Sequence, residues 1–308
     1  MMRIAIIGRT EILYNAAVLL KQAGYIISCI LTSKEALEYT RIAADFKALA
    51  EQWNIPFAQG PRIVEHLNLL KFSESEIAVS INYTGVVPQD VIDIFPLGIL
   101  NAHGGDLPRY RGNACQAWAI INGEDRIGLC IHKMVGGELD SGDIIARDYL
   151  PIDHKTKVTQ AWQWMTERTP SLILEAVQKL ARNPAYVLEH QSKKTTDALR
   201  CYPRRQEDGR IDWNCPAIEI LRLINASNKP YSGAFCNNEG RHMVIWDAEL
   251  VEDGELFCAI PGQVTAIADN HIVVACGSGK LAIQKVQIEG DDECSPSRYI
   301  TSIRKRLT

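Results

Sequence analysis

The sequence has no CxxC pair. Its nine cysteines (Cys29, Cys115, Cys130, Cys201, Cys215, Cys236, Cys258, Cys276 and Cys294) stand singly. That argues against a zinc site or dithiol redox motif and for reduced thiols in the cytoplasm. No apolar run reaches the ~20 residues that span a bilayer. The opening MMRIAIIGRT also lacks the long apolar stretch and cleavage site of a secretory signal. Positive charge is not in excess: 33 Lys and Arg face 37 Asp and Glu. No global basic field therefore recruits nucleic acid or an anionic membrane. There is no repeat and no low-complexity tract. After the first apolar run Gly8 stands alone, where a dinucleotide fingerprint would place three glycines. This argues against NAD binding.

What is present suits a soluble globular chain of one large or two medium domains, with 308 residues and 46% hydrophobic content. Residues 3–7 read as a buried strand. Residues 12–23 read as a helix packed by Leu13, Ala16, Ala17 and Leu20, and 26–31 as a second strand. This opening is that of a doubly wound sheet. Helical spacing continues over 34–53 and 63–70. A strand over 76–82 leads into an exit loop, 83–88, and a short helix over 89–95. Residues 99–103 form the next strand. Residues 113–123 are amphipathic, with Ala114, Ala117, Trp118 and Ile121 inward. Strands over 126–133 and 144–150 flank a glycine-bearing acidic loop. The longest helical pattern, 157–181, is interrupted near Pro170. Beyond residue 195 the texture changes to a helix over 217–226 and short β segments at 241–250, 263–268, 271–276 and 280–287. The expected fold is α/β. A Rossmann-like, mostly parallel sheet domain (1–198) precedes a small OB-like β-barrel module with its linker (199–308).

The chemistry centres on LGILNAHGGDLPRYRG, residues 97–112. On a strand over 99–103, period-two geometry points Asn101 and His103 to one side. The carboxyl end of such a strand is where ligands bind in an open α/β sheet. Asp140 enters from the acidic loop, in LDSGD. A carboxylate beside an imidazole favours the imidazolium and raises its pKa. A fixed Asn amide donates to a developing oxyanion. The three together let an amine attack a carbonyl, with His103 managing the proton. Each also has an ordinary structural role: a packed histidine, a turn-capping Asn, an Asp turn former. Asp143 and Asp106 are competing carboxylates.

Asn101-x-His103, then Leu107-Pro108-Arg109-Tyr110-Arg111-Gly112, then Asp140-Ser141-Gly142 resembles the formyltetrahydrofolate-dependent formyltransferase family. IDWNCPAIEILRLINA, PYSGAF, PGQV and VVACGSGKLAI resemble its C-terminal barrel module. The resemblance implies catalytic roles for Asn101, His103 and Asp140. It implies N10-formyltetrahydrofolate as the formyl donor. The pterin would lie against the loops carrying Tyr83, Gly85, Val86 and Val87 and carrying Val135, Gly136, Gly137, Glu138, Leu139 and Asp140.

The amine is the open point. Some members formylate nucleotide-linked amino sugars, and the methionyl-tRNA formyltransferases act on charged tRNA. The tRNA enzymes carry a Pro-, Arg- and Lys-rich insert after the second strand, whereas this chain has TSKEALEYTRIAAD there. Residues 201–308 hold 12 Lys and Arg against 15 Asp and Glu. A module gripping a phosphate backbone needs a basic face. Tyr202, Arg204 and Arg205 resemble the linker of the sugar-nucleotide enzymes, where aromatic and basic groups stack on a base and hold a diphosphate. Arg109, Tyr110 and Arg111 are either substrate contacts or scaffold. A sugar-nucleotide acceptor is therefore the expected partner, ahead of tRNA. Hydrolysis of the donor and non-catalytic folate binding are the competing classes. The intact Asn101, His103 and Asp140 set argues against the second. A homodimer would need an exposed apolar patch on the barrel module, which periodicity does not locate. Gly104-Gly105-Asp106 and Asn113 depart from the family pattern.

Overall fold

Every position of Ile77–Ile81 and all but the first of Arg3–Gly8 is buried. That is the condition for a sheet covered on both faces. The computed structural model, which describes residues 1–36 and 39–308, has such a sheet. In chain order its main elements are β1 (Arg3–Gly8), α1 (Glu11–Gln22), β2 (Ile26–Thr32), α2 (Ala43–Trp53), β3 (Phe57–Gln59), α3 (Leu67–Phe72), β4 (Ile77–Ile81) and α4 (Gln89–Ile92). Then follow β5 (Ile99–His103), β6 (Tyr110–Gly112), α5 (Cys115–Asn122), β7 (Arg126–Lys133), β8 (Ile144–Pro151), α6 (Val158–Arg182) and β9 (Leu199–Cys201). The last are α7 (Ala217–Ala226), β10 (Ala234–Asn238), β11 (Arg241–Val251), β12 (Val264–Ile267), β13 (Ile272–Ala275) and β14 (Lys280–Ile288).

Two units share the chain. The first takes Met1–Gly112, Gly128–Leu150 and Gln163–Cys201, and the second takes Asn113–Ile127, Pro151–Trp162 and Tyr202–Thr308. Two segments upstream of residue 198 thus pack with the second unit, so the division is not a single cut.

In the first unit the sheet order is β3-β2-β1-β4-β5-β7-β8. The first five strands are parallel and β7 runs antiparallel to β5. Alternate residues of β1 feed opposite cores. Ile4 and Ile6 join Leu13, Ala16, Ala17 and Leu20 of α1, while Ala5 and Ile7 join Leu70 and Val91. Burying one such Leu or Ile contributes about 1.5–3 kcal/mol. The helical reading over 34–53 is realised only from Ala43, and residues 37–38 lie outside the described residues. The expected interruption at Pro170 is absent, because α6 runs through it. Its apolar face (Leu172, Ile173, Ala176, Val177 and Leu180) is buried in the core. That burial offsets the one backbone hydrogen bond a proline removes.

The second unit is an antiparallel sheet ordered β10-β11-β14-β13-β12. Leu307 bridges to Asn238 on β10, and Arg306 bridges to Gln263 just before β12. The last residues thus hydrogen bond at both ends of the strand order. β10 is a strand that sequence reading missed, because AFCNN carries little β-branched signal. The inward face of α5 is Cys115, Ala117, Ala119 and Ile120; of the expected Ala114, Ala117, Trp118 and Ile121 only Ala117 is buried. Trp118 turns away because its indole N–H donates to the Tyr202 carbonyl at 2.9 Å. No helix among the described residues is long and apolar enough to cross a membrane.

Candidate active site

Period two on β5 delivers Asn101 and His103 as expected, and β7 adds a residue sequence reading missed. His132 stands directly across from Asn101. Asn101 Nδ2 lies 3.1 Å from His132 Nε2. His132 Nδ1 lies 2.9 Å from the Lys133 carbonyl. A carbonyl only accepts, so Nδ1 carries a proton, and Nε2 faces both the Asn101 amide and the Asp140 carboxylate. The Asn101 side chain is thereby oriented beside the two imidazoles. The only sequence sign of His132 was its place one residue before the end of a strand that enters the acidic loop.

His103 is buried. Its Nε2 donates to the Tyr110 carbonyl at 2.7 Å, and its Nδ1 faces Asp140 Oδ2 at 3.5 Å. Asp140 Oδ1 is 3.5 Å from His132 Nε2. The Gly112 N–H donates to Asp140 Oδ2 at 3.0 Å. Asp140 therefore sits between the two imidazoles and a backbone amide. Its φ of 47° is left-handed, a conformation Asp and Asn tolerate better than most residues. Gln191, for which the sequence carried no signal, holds this loop from behind. Its Nε2 donates to the Asp140 carbonyl at 3.0 Å and the Gly142 carbonyl at 2.6 Å.

The electrostatics correct one expectation. Burial pushes the His103 pKa down, and this outweighs the upward push of Asp140 and the Tyr110 carbonyl. His132 and Arg111 push the same way as burial. His103 is therefore a neutral base at pH 7, not a stabilised imidazolium. Burial alone would raise Asp140, but His103, His132 and the Gly112 amide together hold it down at about 2. Both pKa values lie below those of the unfolded chain, so the unfolded state takes up the protons more readily and acid favours unfolding. The His103 contribution begins to fade as pH falls below 6.5. The Asp140 contribution, on the order of 2 kcal/mol, is complete above about pH 4 and is lost toward pH 2. Melting temperature measured against pH should fall in both ranges, and Asp140→Asn should flatten the lower one. An unchanged lower limb in that variant would contradict the assigned charge.

The two expected donor-binding loops lie together. The Gly136 N–H donates to Gln89 Oε1 at 2.8 Å, and a Cβ on Gly136 would stand 2.4 Å from the Gln89 amide nitrogen. Only glycine fits there. Val86 is 78% exposed and Leu139 43% exposed, an apolar side chain left uncovered on each loop. Tyr83 is fastened by its hydroxyl to the Gly60 carbonyl at 3.1 Å, and burial raises it to about 12.

The remaining expected contacts divide. Tyr110 has a buried ring and serves His103 through its main-chain carbonyl. Arg111 donates to Gln191 Oε1 at 3.0 Å, a scaffold bond. Arg109 is exposed, with its guanidinium over the Tyr110 ring at 5.3 Å. These three belong to the first unit; Tyr202, Arg204 and Arg205 belong to the second. Arg204 donates to the Ala226 and Asp208 carbonyls and to Ser227 Oγ, so its guanidinium is engaged within the unit. Tyr202, 65% exposed, and Arg205 point their side chains to solvent.

Comparison with known proteins adds three findings. Residues 2–177 match the Formyl transferase family, and residues 204–304 match the Formyl transferase C-terminal domain. A methionyl-tRNA formyltransferase of Akkermansia muciniphila is 31% identical over 263 residues, covering 84% of this chain and 82% of that protein. Among solved structures, the N-formyltransferase from Helicobacter canadensis, in complex with folinic acid and dTDP-3-aminofucose, aligns with a TM-score of 0.69. It is 16% identical, over 92% of this chain and 99% of its own. HypX from Aquifex aeolicus aligns with a TM-score of 0.61 at 19% identity, over 98% of this chain. The chain spans about half of HypX, 49%. At these identities the structural likeness speaks to fold alone.

Proposed function

Because the chain belongs to the formyl transferase family, we propose that it moves a formyl group from N10-formyltetrahydrofolate to the amine of a nucleotide-linked amino sugar. The donor, when bound, supplies an activated formyl carbon. The residues suit it. Exposed Val86 and Leu139 offer apolar cover to a flat heteroaromatic ring, and the exposed backbone at Gly85 and Gly137 suits its polar edge. Tyr83, Gly85, Val87, Val135, Gly136, Gly137 and Glu138 complete those two loops.

The chain's own part is positioning and proton handling. Asn101 directs its amide at the oxygen of the formyl group, where charge develops. His103 is neutral at working pH; it would take a proton from the attacking amine as the new C–N bond forms and return one to the leaving folate nitrogen as the old C–N bond breaks. Asp140 stays ionised and stabilises the imidazolium that results. His132 keeps the Asn101 amide turned toward the reaction. We read the C-terminal sheet, bridged by residues 306 and 307, as the small OB-like barrel, and the parallel-sheet domain as the catalytic one.

The observation that carries the acceptor assignment is charge. Residues 201–308 hold more Asp and Glu than Lys and Arg, and 32–45 has no basic insert. A polyanion as large as tRNA needs the opposite. Exposed Tyr202 and Arg205 of the second unit offer a stacking ring and a positive charge to a small phosphorylated ligand. The second reading is a methionyl-tRNA formyltransferase, favoured by the 31% identity to the Akkermansia muciniphila enzyme. With formyltetrahydrofolate as donor, purified protein should formylate one member of a panel of UDP- and dTDP-amino sugars and leave methionyl-tRNA unchanged. Formylation of the tRNA alone would replace the first reading with the second.

A further inference from the structure

Three consecutive residues of β6 each reach toward the catalytic groups, and one side chain closes the circuit behind them. The Tyr110 carbonyl accepts from His103 Nε2 at 2.7 Å, and the Gly112 amide donates to Asp140 Oδ2 at 3.0 Å. Between them, Arg111 donates through a terminal nitrogen to Gln191 Oε1 at 3.0 Å. Gln191 Nε2 in turn donates to the Asp140 carbonyl at 3.0 Å and the Gly142 carbonyl at 2.6 Å. The approach of Asp140 Oδ2 to His103 Nδ1, 3.5 Å, completes the circuit.

Gln191 is 5% exposed. Its carboxamide has one orientation that works. Carbonyls only accept, so the nitrogen must face Asp140 and Gly142, and a guanidinium only donates, so the oxygen must face Arg111. The chain around Gln191 is anchored on both sides. Glu189 pairs with Ile144 at the start of β8, through amide-to-carbonyl bonds of 2.9 and 3.2 Å. Leu199–Cys201 pairs in parallel with Tyr110–Gly112. Residues 189–201 thus run as a strap from the exit of the acidic loop to β6, and Gln191 bonds to both. The other end of the acidic loop is held separately, by the Gly136 amide on Gln89 Oε1 at 2.8 Å. Gln191 therefore acts on the end that carries Asp140. That residue sits at a left-handed φ of 47°, which Asp tolerates but does not prefer. Without the two bonds to this end of the loop, the backbone can relax and carry the carboxylate away from the imidazoles.

We propose that Gln191 is a positioning residue for formyl transfer: by tying the Asp140 and Gly142 carbonyls to Arg111, it holds the Asp140 carboxylate against His103 and His132. It acts through Asp140. The inference rests on the reading of Asp140 as the carboxylate that supports proton transfer, but the first of its two measurements needs no substrate.

The test uses two neutral variants. Gln191→Met keeps the length of the side chain and removes both donors and the acceptor. Gln191→Asn keeps the carboxamide but draws it back by one methylene, so it no longer spans Arg111 and the two carbonyls; it serves where the Met variant does not fold. The first measurement is melting temperature against pH. Burial raises Asp140, but His103 from β5, His132 from β7 and the Gly112 amide of β6 hold it at about 2. These groups and Arg111 are unaltered in both variants. A carboxylate that leaves them returns toward the ordinary range, and the stability it loses between about pH 4 and pH 2 disappears from the profile. The fall in melting temperature over that range should therefore flatten, as in Asp140→Asn.

The second measurement is a double-mutant cycle in kcat. Gln191→Met alone should cost roughly ten- to a hundredfold, the scale of a small misplacement of a catalytic group. In an Asp140→Asn background it should cost less than about threefold, because the carboxylate it positions is already gone. KM for the folate donor should stay within about twofold, since the Gln89 end of the loop is intact. A wild-type acid range in the melting profile of both variants would overturn the proposal. So would an equal loss of kcat in the two backgrounds, which would leave Gln191 a scaffold residue only. A flattened acid range in a protein whose wild type formylates nothing would support the positioning role and count against the proposed function instead.

Discussion

Replacing His103 with alanine is expected to lower kcat for formyl transfer by roughly 10²–10⁴-fold, the range a positioned acid–base group contributes. The fold should survive. Among its hydrogen bonds, the ring makes one to the Tyr110 carbonyl, and leaving that buried acceptor unpaired costs about 1–3 kcal/mol. A second variant separates chemistry from packing. The amide of His103→Gln can still donate to the Tyr110 carbonyl, yet it does not cycle a proton near neutral pH. It should melt closer to wild type than His103→Ala and be equally inactive. Substantial turnover by His103→Gln, with a normal melting curve, would remove His103 from the proton-transfer role.

Asp140→Asn should lower kcat by about 10²-fold, the low end of the same range. The substitution is clean for a backbone reason: φ at this position is 47°, where Asn is as comfortable as Asp. The Asn carbonyl can also keep the Gly112 amide, which donates to Asp140 Oδ2 at 3.0 Å. What is lost is the negative charge beside two imidazoles. Asp140 is an upward influence on His103, so its removal drops His103 further below the ordinary histidine range. The acid limb of kcat/KM should therefore move to lower pH while the plateau falls, since a weaker base accepts the amine proton less readily. A profile superimposable on wild type would show that Asp140 does not act through His103.

The outcome at His103 also explains a wrong expectation about sign. A carboxylate partner alone predicts a raised imidazole pKa. The side chain is sealed under residues 104–110 and against β7, however, and desolvation of the charged form dominates. Composition and spacing carry no measure of how deep a group lies. The same holds for Arg204 and Arg111. Both read as anion contacts in a basic-aromatic context, and both have guanidinium donors engaged by protein oxygens.

Local pattern decided the long strands, most helices and the Asn101–His103 pairing, because period-two and 3.6-residue spacing report burial directly, while the three-residue strands β3, β6 and β9 and the strand β10 carried too little of it. Pro170 misled because a proline signal is local, while the burial that carries α6 through it is tertiary. His132 and Gln191 were illegible for another reason: each reaches Asn101 or Asp140 only once β7 lies beside β5 and residue 191 folds back under the acidic loop. By itself, then, the sequence determined the mostly parallel sheet and the placing of Asn101 and His103 on one side of a strand, because those follow from short-range periodicity, while Asp140 and a shared chemistry for the three were implied by the family resemblance. Only the tertiary structure decided which nitrogen of His103 meets the Tyr110 carbonyl, which faces Asp140 and how deeply the ring is buried, because those depend on contacts between residues distant in the chain.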